Sequence, residues 1–457
     1  MGKLEIYKDG LMLNGKKFYL ASGDFHYFRT FKSGWKSRLQ KMKDFGLTAV
    51  QTYVPWNLHE PEPGEFNFEG NLDLAAFLKT CAEVGLYVMF RPSVYMCSEW
   101  DLGGLPYWLL KEEDMCIRTS DVKFLEYLNR YYDRLAKEFV PYLSTNGGPI
   151  IAVAVENEYG SFGDDREYVK TVGDKLKAIG VDVPLFTANG WEPTKLKNGS
   201  RKEYWNGLDL HELTPEAKAS IDECQPDKPV YVAEFWGGRS QQWGGFFKRQ
   251  TPEETAQKYK KILETGLFVN FYMFCGGTTF GFQNGALVGR YGADTAGAPN
   301  RYISFCTSYD VDALVSEEGR ATRKYELCSR VLKEFLENNG YEEFAKNIKT
   351  PDNTFVSQKI ENVKLTQSAD LLDNIDNISV VTRKSGKPLT FESVNQAYGF
   401  MMYTTYVNNK VSNEKYMLRL EGLHDRALIY GNGEYLGCYM RDRDMPPIIF
   451  DVPDGEI

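Results

Sequence analysis

Gly147-Gly148-Pro149-Ile150-Ile151-Ala152-Val153-Ala154-Val155-Glu156-Asn157-Glu158-Tyr159-Gly160 is the stretch on which the fold turns. Residues 149–155 are apolar without alternation, as a strand must be when both its faces are covered, and the run then breaks abruptly into acids. Similar runs recur on both sides of it. Upstream, 18–21, 49–54 and 86–90 read as strands; downstream, 183–187, 203–206, 229–233 and 268–274 do the same. Between them lie helical stretches. Trp35, Leu39, Met42 and Phe45 repeat at helical spacing and stop at Gly46, and 72–84 stops at Gly85. Further helices are expected at 120–142, with Ser120 as N-cap, and at 166–179, 252–265 and 323–338. Eight strands, each followed by a helix or a long loop, predict an α/β chain with a (β/α)8 TIM barrel over 1–340. A doubly wound open sheet is the alternative, but no Gly-rich phosphate loop follows any strand.

Beyond 340 the texture changes. Helical periodicity fades, and alternating runs at 401–407 and 416–420 stand between turn signals such as Gly431-Asn432-Gly433. Residues 341–457 therefore predict an all-β, jelly-roll or sandwich-like module. It offers about five strand candidates where a sandwich uses seven or eight, so an incomplete module is expected.

Composition narrows the function. The 457 residues are 42% hydrophobic and 26% charged, which excludes disorder and a fibrous repeat. Net charge is −9 with no long basic block, so nucleic acid and anionic membrane surfaces are poor partners. The start, Met1-Gly2-Lys3-Leu4-Glu5-Ile6, shows no apolar leader, and a cytoplasmic protein is expected. Eight cysteines without a CxxC pair, beside four histidines, predict reduced thiols, no metal and no cofactor. Aromatic content is high at 14%. Such a surplus suits both a packed core and a pocket that stacks on sugar rings.

Barrel enzymes place their chemistry where the strands run out. Those ends carry Asp24-Phe25-His26-Tyr27-Phe28-Arg29, Tyr53-Val54-Pro55-Trp56-Asn57, Arg91-Pro92, Glu156-Asn157-Glu158, Glu234-Phe235-Trp236 and Asn270-Phe271-Tyr272. Two carboxylates on the rims of strands four and seven, facing across the mouth, meet the needs of glycoside hydrolysis. One stays neutral to protonate the leaving oxygen, and the other stays ionised to attack the anomeric carbon. A separation of roughly 5–5.5 Å gives retention through a covalent glycosyl-enzyme. Each group also has a structural reading. Strand-end acids often cap helices or pair with arginine. His26 and His59 read as core or rim histidines, Trp56, Trp100, Trp236 and Trp243 as packing, and Arg29 and Arg91 as structural ion pairs beneath the pocket. Cys97 reads as an inert apolar residue; as a thiol nucleophile it lacks a paired histidine.

The stretch 147–160 also resembles the signature of glycoside hydrolase family 35, the β-galactosidases. Four further blocks resemble that family in its order: Tyr53-Val54-Pro55-Trp56-Asn57-Leu58-His59-Glu60-Pro61, Cys97-Ser98-Glu99-Trp100-Asp101-Leu102-Gly103-Gly104-Leu105-Pro106, Thr307-Ser308-Tyr309-Asp310 and Leu420-Glu421-Gly422-Leu423-His424-Asp425-Arg426-Ala427. The resemblance implies Glu158 as acid/base and Glu234 as nucleophile, the pair that strand position also indicates. It further implies that Tyr53, Ser98, Glu99 and Asn157 hold the hydroxyls of a terminal sugar, with Tyr272 and Tyr309 lining the nucleophile side. The expected partner is a carbohydrate with terminal β-galactose, hydrolysed by an exo-acting, retaining β-galactosidase. Ser93-Val94, Ser98, Cys275, Thr279 and Val311 depart from the family pattern. They bear on sugar preference, for which a β-glucosaminide is the alternative, while a catalytically silent carbohydrate-binding protein is the alternative of another class.

Overall fold

The structure, a computed structural model, describes residues 2–92, 94–245, 247, 249–288, 302–354, 359–406, 408–409, 415–441, 447–451 and 455–456. Ser93 and Val407 therefore lie outside the described residues. Two compact units are present, Met1–Gly285 with Phe305–Phe355, and Ala286–Ser304 with Val356–Ile457.

The first unit opens with a three-stranded antiparallel sheet, β1 (Leu4–Tyr7), β2 (Gly10–Leu13) and β3 (Lys16–Phe18). A barrel follows, built from β4 (Ala21–Asp24), α1 (Trp35–Phe45), β5 (Ala49–Tyr53), the single turn α2 (Trp56–His59), α3 (Leu74–Val84), β6 (Tyr87–Arg91), α4 (Val122–Phe139) and β7 (Ile150–Ala154). It continues with the short α5 (Tyr159–Phe162), α6 (Arg166–Ala178), β8 (Leu185–Gly190), α7 (Pro193–Gly199), β9 (Trp205–Leu210), α8 (Pro215–Cys224), β10 (Tyr231–Trp236), α9 (Pro252–Glu264), β11 (Phe268–Tyr272) and α10 (Arg323–Asn338). Strands β4 to β11 are parallel neighbours in chain order, and β11 closes on β4. The open sheet is thereby excluded. Every residue of β5, β7, β8 and β9 is buried, as strands packed between a filled interior and a helical jacket must be.

Several boundaries differ from the sequence reading, each for a local reason. Barrel strand one is Ala21–Asp24, not 18–21, because the apolar Phe18 belongs to the N-terminal sheet while Ser22-Gly23-Asp24 carries polar groups into the barrel. Strand six runs over Trp205–Leu210. Its middle residue, Gly207, masks the β pattern, yet a Cβ there would lie 2.9 Å from the Thr187 carbonyl oxygen. The fourth helix is capped by Asp121, not Ser120: the Asp121 carboxylate accepts from the backbone N–H groups of Lys123 (2.9 Å) and Phe124 (3.3 Å).

In the second unit, Lys415–Leu418 pairs antiparallel with Ile448–Asp451, and Arg426–Gly431 with Glu434–Met440. The latter hairpin turns through Asn432 and Gly433, both at positive φ, the geometry that Asn-Gly favours. The run expected as a strand at 401–407 forms none over 401–406. Among the described residues no helix is long and apolar enough to cross a membrane.

Candidate active site

The barrel gathers the predicted carboxylates at the C-terminal ends of its strands. Glu234, on β10, is 6% exposed. Its Oε1 accepts from the Tyr53 hydroxyl at the end of β5 and from Arg91 Nη1 at 3.1 Å, and its Oε2 from Trp236 Nε1 at 3.1 Å. Three donors on one carboxylate fix its direction. Arg91, fully buried at the end of β6, also donates to the Asn157 side-chain carbonyl, and its guanidinium lies 4.2 Å from the centroid of the Tyr53 ring. The Tyr53 hydroxyl is 3.5 Å from that same Asn157 oxygen.

After β7 the backbone makes a tight turn in which Glu156 (φ 61°) and Glu158 (φ 47°) are both left-handed. The two acids meet opposite fates. Glu156 is clamped by Arg118 through Nε (3.0 Å) and Nη2 (2.7 Å), by the Tyr168 hydroxyl (2.8 Å) and by the Asn157 backbone N–H (2.7 Å). All its acceptor capacity goes to structure. Glu158 is half-buried, and among the described residues its carboxyl has no hydrogen-bond donor. Its backbone N–H bonds the Ala188 carbonyl on β8 at 3.0 Å. Close packing against α7 requires Gly160, where a Cβ would fall 1.8 Å from the Lys195 carbonyl oxygen. Burial, reinforced by the negative charge of Glu234, pushes the Glu158 carboxyl up to about 7, with Arg91 opposing.

A third segment supplies Ser98 and Glu99. Cys97, Ser98 and Glu99 are successively left-handed (φ 55°, 56° and 48°), a conformation costing about 1–3 kcal/mol per residue and held only where the surroundings impose it. Here the restraints are backbone bonds from Trp100 to Cys97 (3.0 Å), Asp101 to Gln283 (2.8 Å) and Gly285 to Glu99 (2.8 Å). Glu99 accepts from the Tyr309 hydroxyl and from Ser240 Oγ at 3.2 Å. The Tyr272 hydroxyl stands 2.7 Å from that of Tyr309 and donates to Ser98 Oγ at 3.0 Å. Burial raises the Glu99 carboxyl, opposed by the Tyr309 hydrogen bond and the charge of Arg29.

The structure thus joins seven of the eight predicted site residues into two connected groups, and Glu158 stands beside the first, coupled by charge to Glu234. It also revises the minor assignments. Arg91 does form a buried ion pair, and its partner is Glu234 itself. Arg29 forms no carboxylate ion pair among the described residues; it lies 3.6 Å over the Tyr309 ring and donates to His26 Nδ1 (3.2 Å), Thr279 Oγ1 and the Ser98 carbonyl (2.5 Å). Trp236 contacts Glu234 rather than merely packing. His59 is a satisfied histidine, bonded to Tyr27 and the Asn67 carbonyl, whereas His26 Nε2 is buried without a partner. Burial and the charges of Glu158, Glu99 and Glu234 hold the Cys97 thiol above its ordinary range, which suppresses the thiolate. Asp209 and Ser240 escape sequence reading because their neighbours only become visible once the barrel closes. Among the described residues no cluster of three or more His, Cys, Asp or Glu could hold a metal ion.

Chemically, the mouth presents one carboxylate held by three donors and one carboxyl whose proton affinity burial raises, with amide, hydroxyl and carboxylate groups around them. Residues 10–335 match glycosyl hydrolases family 35, and residues 388–454 match the family described as beta-galactosidase, first all-beta domain. The human protein named beta-galactosidase is 37% identical over 450 residues, covering 97% of this chain and 63% of that protein. A mouse beta-galactosidase-1-like protein is 37% identical, covering 95% and 65%, and the Xanthomonas manihotis beta-galactosidase 36% identical, covering 97% and 71%. The chain therefore spans less than two thirds of the length of the human and mouse relatives. By the family match and these identities, the chain belongs to the glycosyl hydrolases of family 35.

Proposed function

We propose that this protein is an exo-acting, retaining β-galactosidase that removes terminal non-reducing β-galactosyl residues, with Glu234 as nucleophile and Glu158 as acid/base. The observation that carries the reading is the contrast between the two carboxyls: three donors converge on Glu234, while Glu158 keeps its proton to about 7. The sugar comes from relatives named beta-galactosidase, and the exo mode from the resemblance to family 35.

In the first step Glu234 attacks the anomeric carbon as Glu158 gives its proton to the departing oxygen. The products are a glycosyl ester on Glu234, the free alcohol and an ionised Glu158. In the second step Glu158 takes a proton from water, whose oxygen displaces Glu234. Asn157 bonds the sugar 2-hydroxyl in this reading, an interaction that strengthens as the oxocarbenium-like state develops. Glu99, as an ionised acceptor, can take two hydroxyls, with Tyr53, Ser98, Tyr272 and Tyr309 completing the wall.

The test is a panel of p-nitrophenyl glycosides (β-galactoside, β-glucoside, β-glucosaminide and α-galactoside) on wild type, Glu234→Ala and Glu158→Ala. Turnover of the β-galactoside, lost in Glu234→Ala, supports the reading. In Glu158→Ala, azide should restore turnover of the activated substrate. Turnover of another β-sugar alone would overturn the substrate, and silence of well-folded wild type would point to a carbohydrate-binding role.

A further inference from the structure

The barrel carries a third carboxyl in the arc between the two proposed catalytic ones. Asp209, on β9, is in register with Glu234 on β10 and with Gly190 on β8, the strand whose Ala188 carbonyl anchors the Glu158 backbone. It is 1% exposed, and neither carboxyl oxygen has a hydrogen-bond partner among the described residues. The groups acting on it are Glu234 and Tyr231 from β10, Glu158 beyond β7, Arg91 from β6 and Asp24 from β4. Lys195, Arg118, Tyr95 and Cys97 complete the charged and titratable surroundings of Glu158.

Four buried or half-buried carboxyls, Asp24, Glu158, Asp209 and Glu234, thus face one buried guanidinium. A desolvated interior does not hold three uncompensated negative charges, so protons must make up the difference. Where they reside follows from the donors. Glu234 has three; Asp24 has two side-chain amides, Gln51 at 2.9 Å and Asn270 at 2.5 Å. Asp209 has none.

We propose that Asp209 is a positioning residue that is coupled through its charge to Glu158 and so sets how far the acid/base stays protonated as the pH rises. When either group ionises, its charge holds the remaining proton on the other, and the two titrate as a pair. Burial and the charges of Glu234 and Glu158 raise the Asp209 carboxyl, in accord with that role. A purely structural Asp209 would affect stability without moving this balance.

The inference rests on the proposed assignment of Glu158 and Glu234, and the test separates the two. The measurement is kcat/KM against pH for p-nitrophenyl β-galactoside with wild type, Asp209→Asn and Glu158→Gln. Asp209→Asn should move the alkaline limb to lower pH by about half a unit or more. An unmoved limb in folded Asp209→Asn would overturn the proposal while leaving the Glu158 assignment standing. A wild-type limb that persists in Glu158→Gln would instead overturn the assignment and the proposal with it. Should Asp209→Asn fail to melt cooperatively, Glu158→Gln is trapped on Glu234 with a fluorinated glycosyl fluoride in weak buffer near neutral pH. Esterification removes the Glu234 charge, and Asp209 should then release a fraction of a proton; no release would overturn the proposal.

Discussion

Arg91 Nη1 donates to Glu234 Oε1 across 3.1 Å, a buried ion pair between the third and seventh strands of the barrel. The attacking group of the proposed reaction is therefore held from below by a residue that composition and strand position mark only as structural.

Arg91→Met should remove the cation that stabilises ionised Glu234 and leave a buried charge unpaired. Breaking such a pair costs about 3–5 kcal/mol, to be read from urea melts. The sign for activity is equally defined. Without Arg91 the Glu234 carboxylate loses one of the donors that orient it, so kcat/KM should fall roughly tenfold or more.

The Glu158 carboxyl, raised to about 7 by burial and by Glu234, must be protonated for the first step. Activity is present below that value and lost above it, so kcat/KM should fall roughly tenfold per pH unit beyond the limb. Glu158→Gln should abolish the limb; a limb that survived would assign it to another group.

Glu156 and Glu158 are easily confused in sequence, and their environments predict opposite phenotypes. Glu156→Ala strands Arg118 and the Tyr168 hydroxyl, and should destabilise the fold by about 3–5 kcal/mol. Azide should not rescue its activity, whereas it should rescue Glu158→Ala.

Cys97, its thiol pushed up by burial and by three surrounding carboxyls, should resist iodoacetamide at neutral pH, and Cys97→Ser should retain turnover. Rapid alkylation with full loss of activity, together with an active Glu234→Gln, would indicate a thiol nucleophile instead.

Tyr309→Phe removes the hydroxyl that donates to Glu99 and leaves the ring stacked on Arg29. Loss of about one hydrogen bond to a carboxylate predicts a KM roughly tenfold higher with kcat little changed.

How much of this was legible depended on the range of the interactions. Helices α1 and α3 follow from local periodicity and the stops at Gly46 and Gly85, and the buried strand at 150–154 from its uninterrupted apolar run. Glu234 directly follows its apolar run and Glu158 stands three residues beyond the end of another, so both are visible as strand-end acids. The first barrel strand starts later than local reading places it because its polar groups find partners distant in sequence, Tyr231 for Ser22 and Gln51 and Asn270 for Asp24. Asp209, within Leu208-Asp209-Leu210, offers no local sign of what it faces.

The amino-acid sequence by itself determined the alternation of strand and helix, the eightfold count, the family and the two acids to suspect, since these depend on short-range periodicity and on residue order. Only the tertiary structure decided which acid is available and in which charge state. Glu156 and Glu158 stand two residues apart in the same turn, yet Arg118 consumes one while burial beside Glu234 sets the proton affinity of the other. Proton affinity depends on solvent exclusion and on charges brought together from separate strands, and those distances exist only once the barrel has closed.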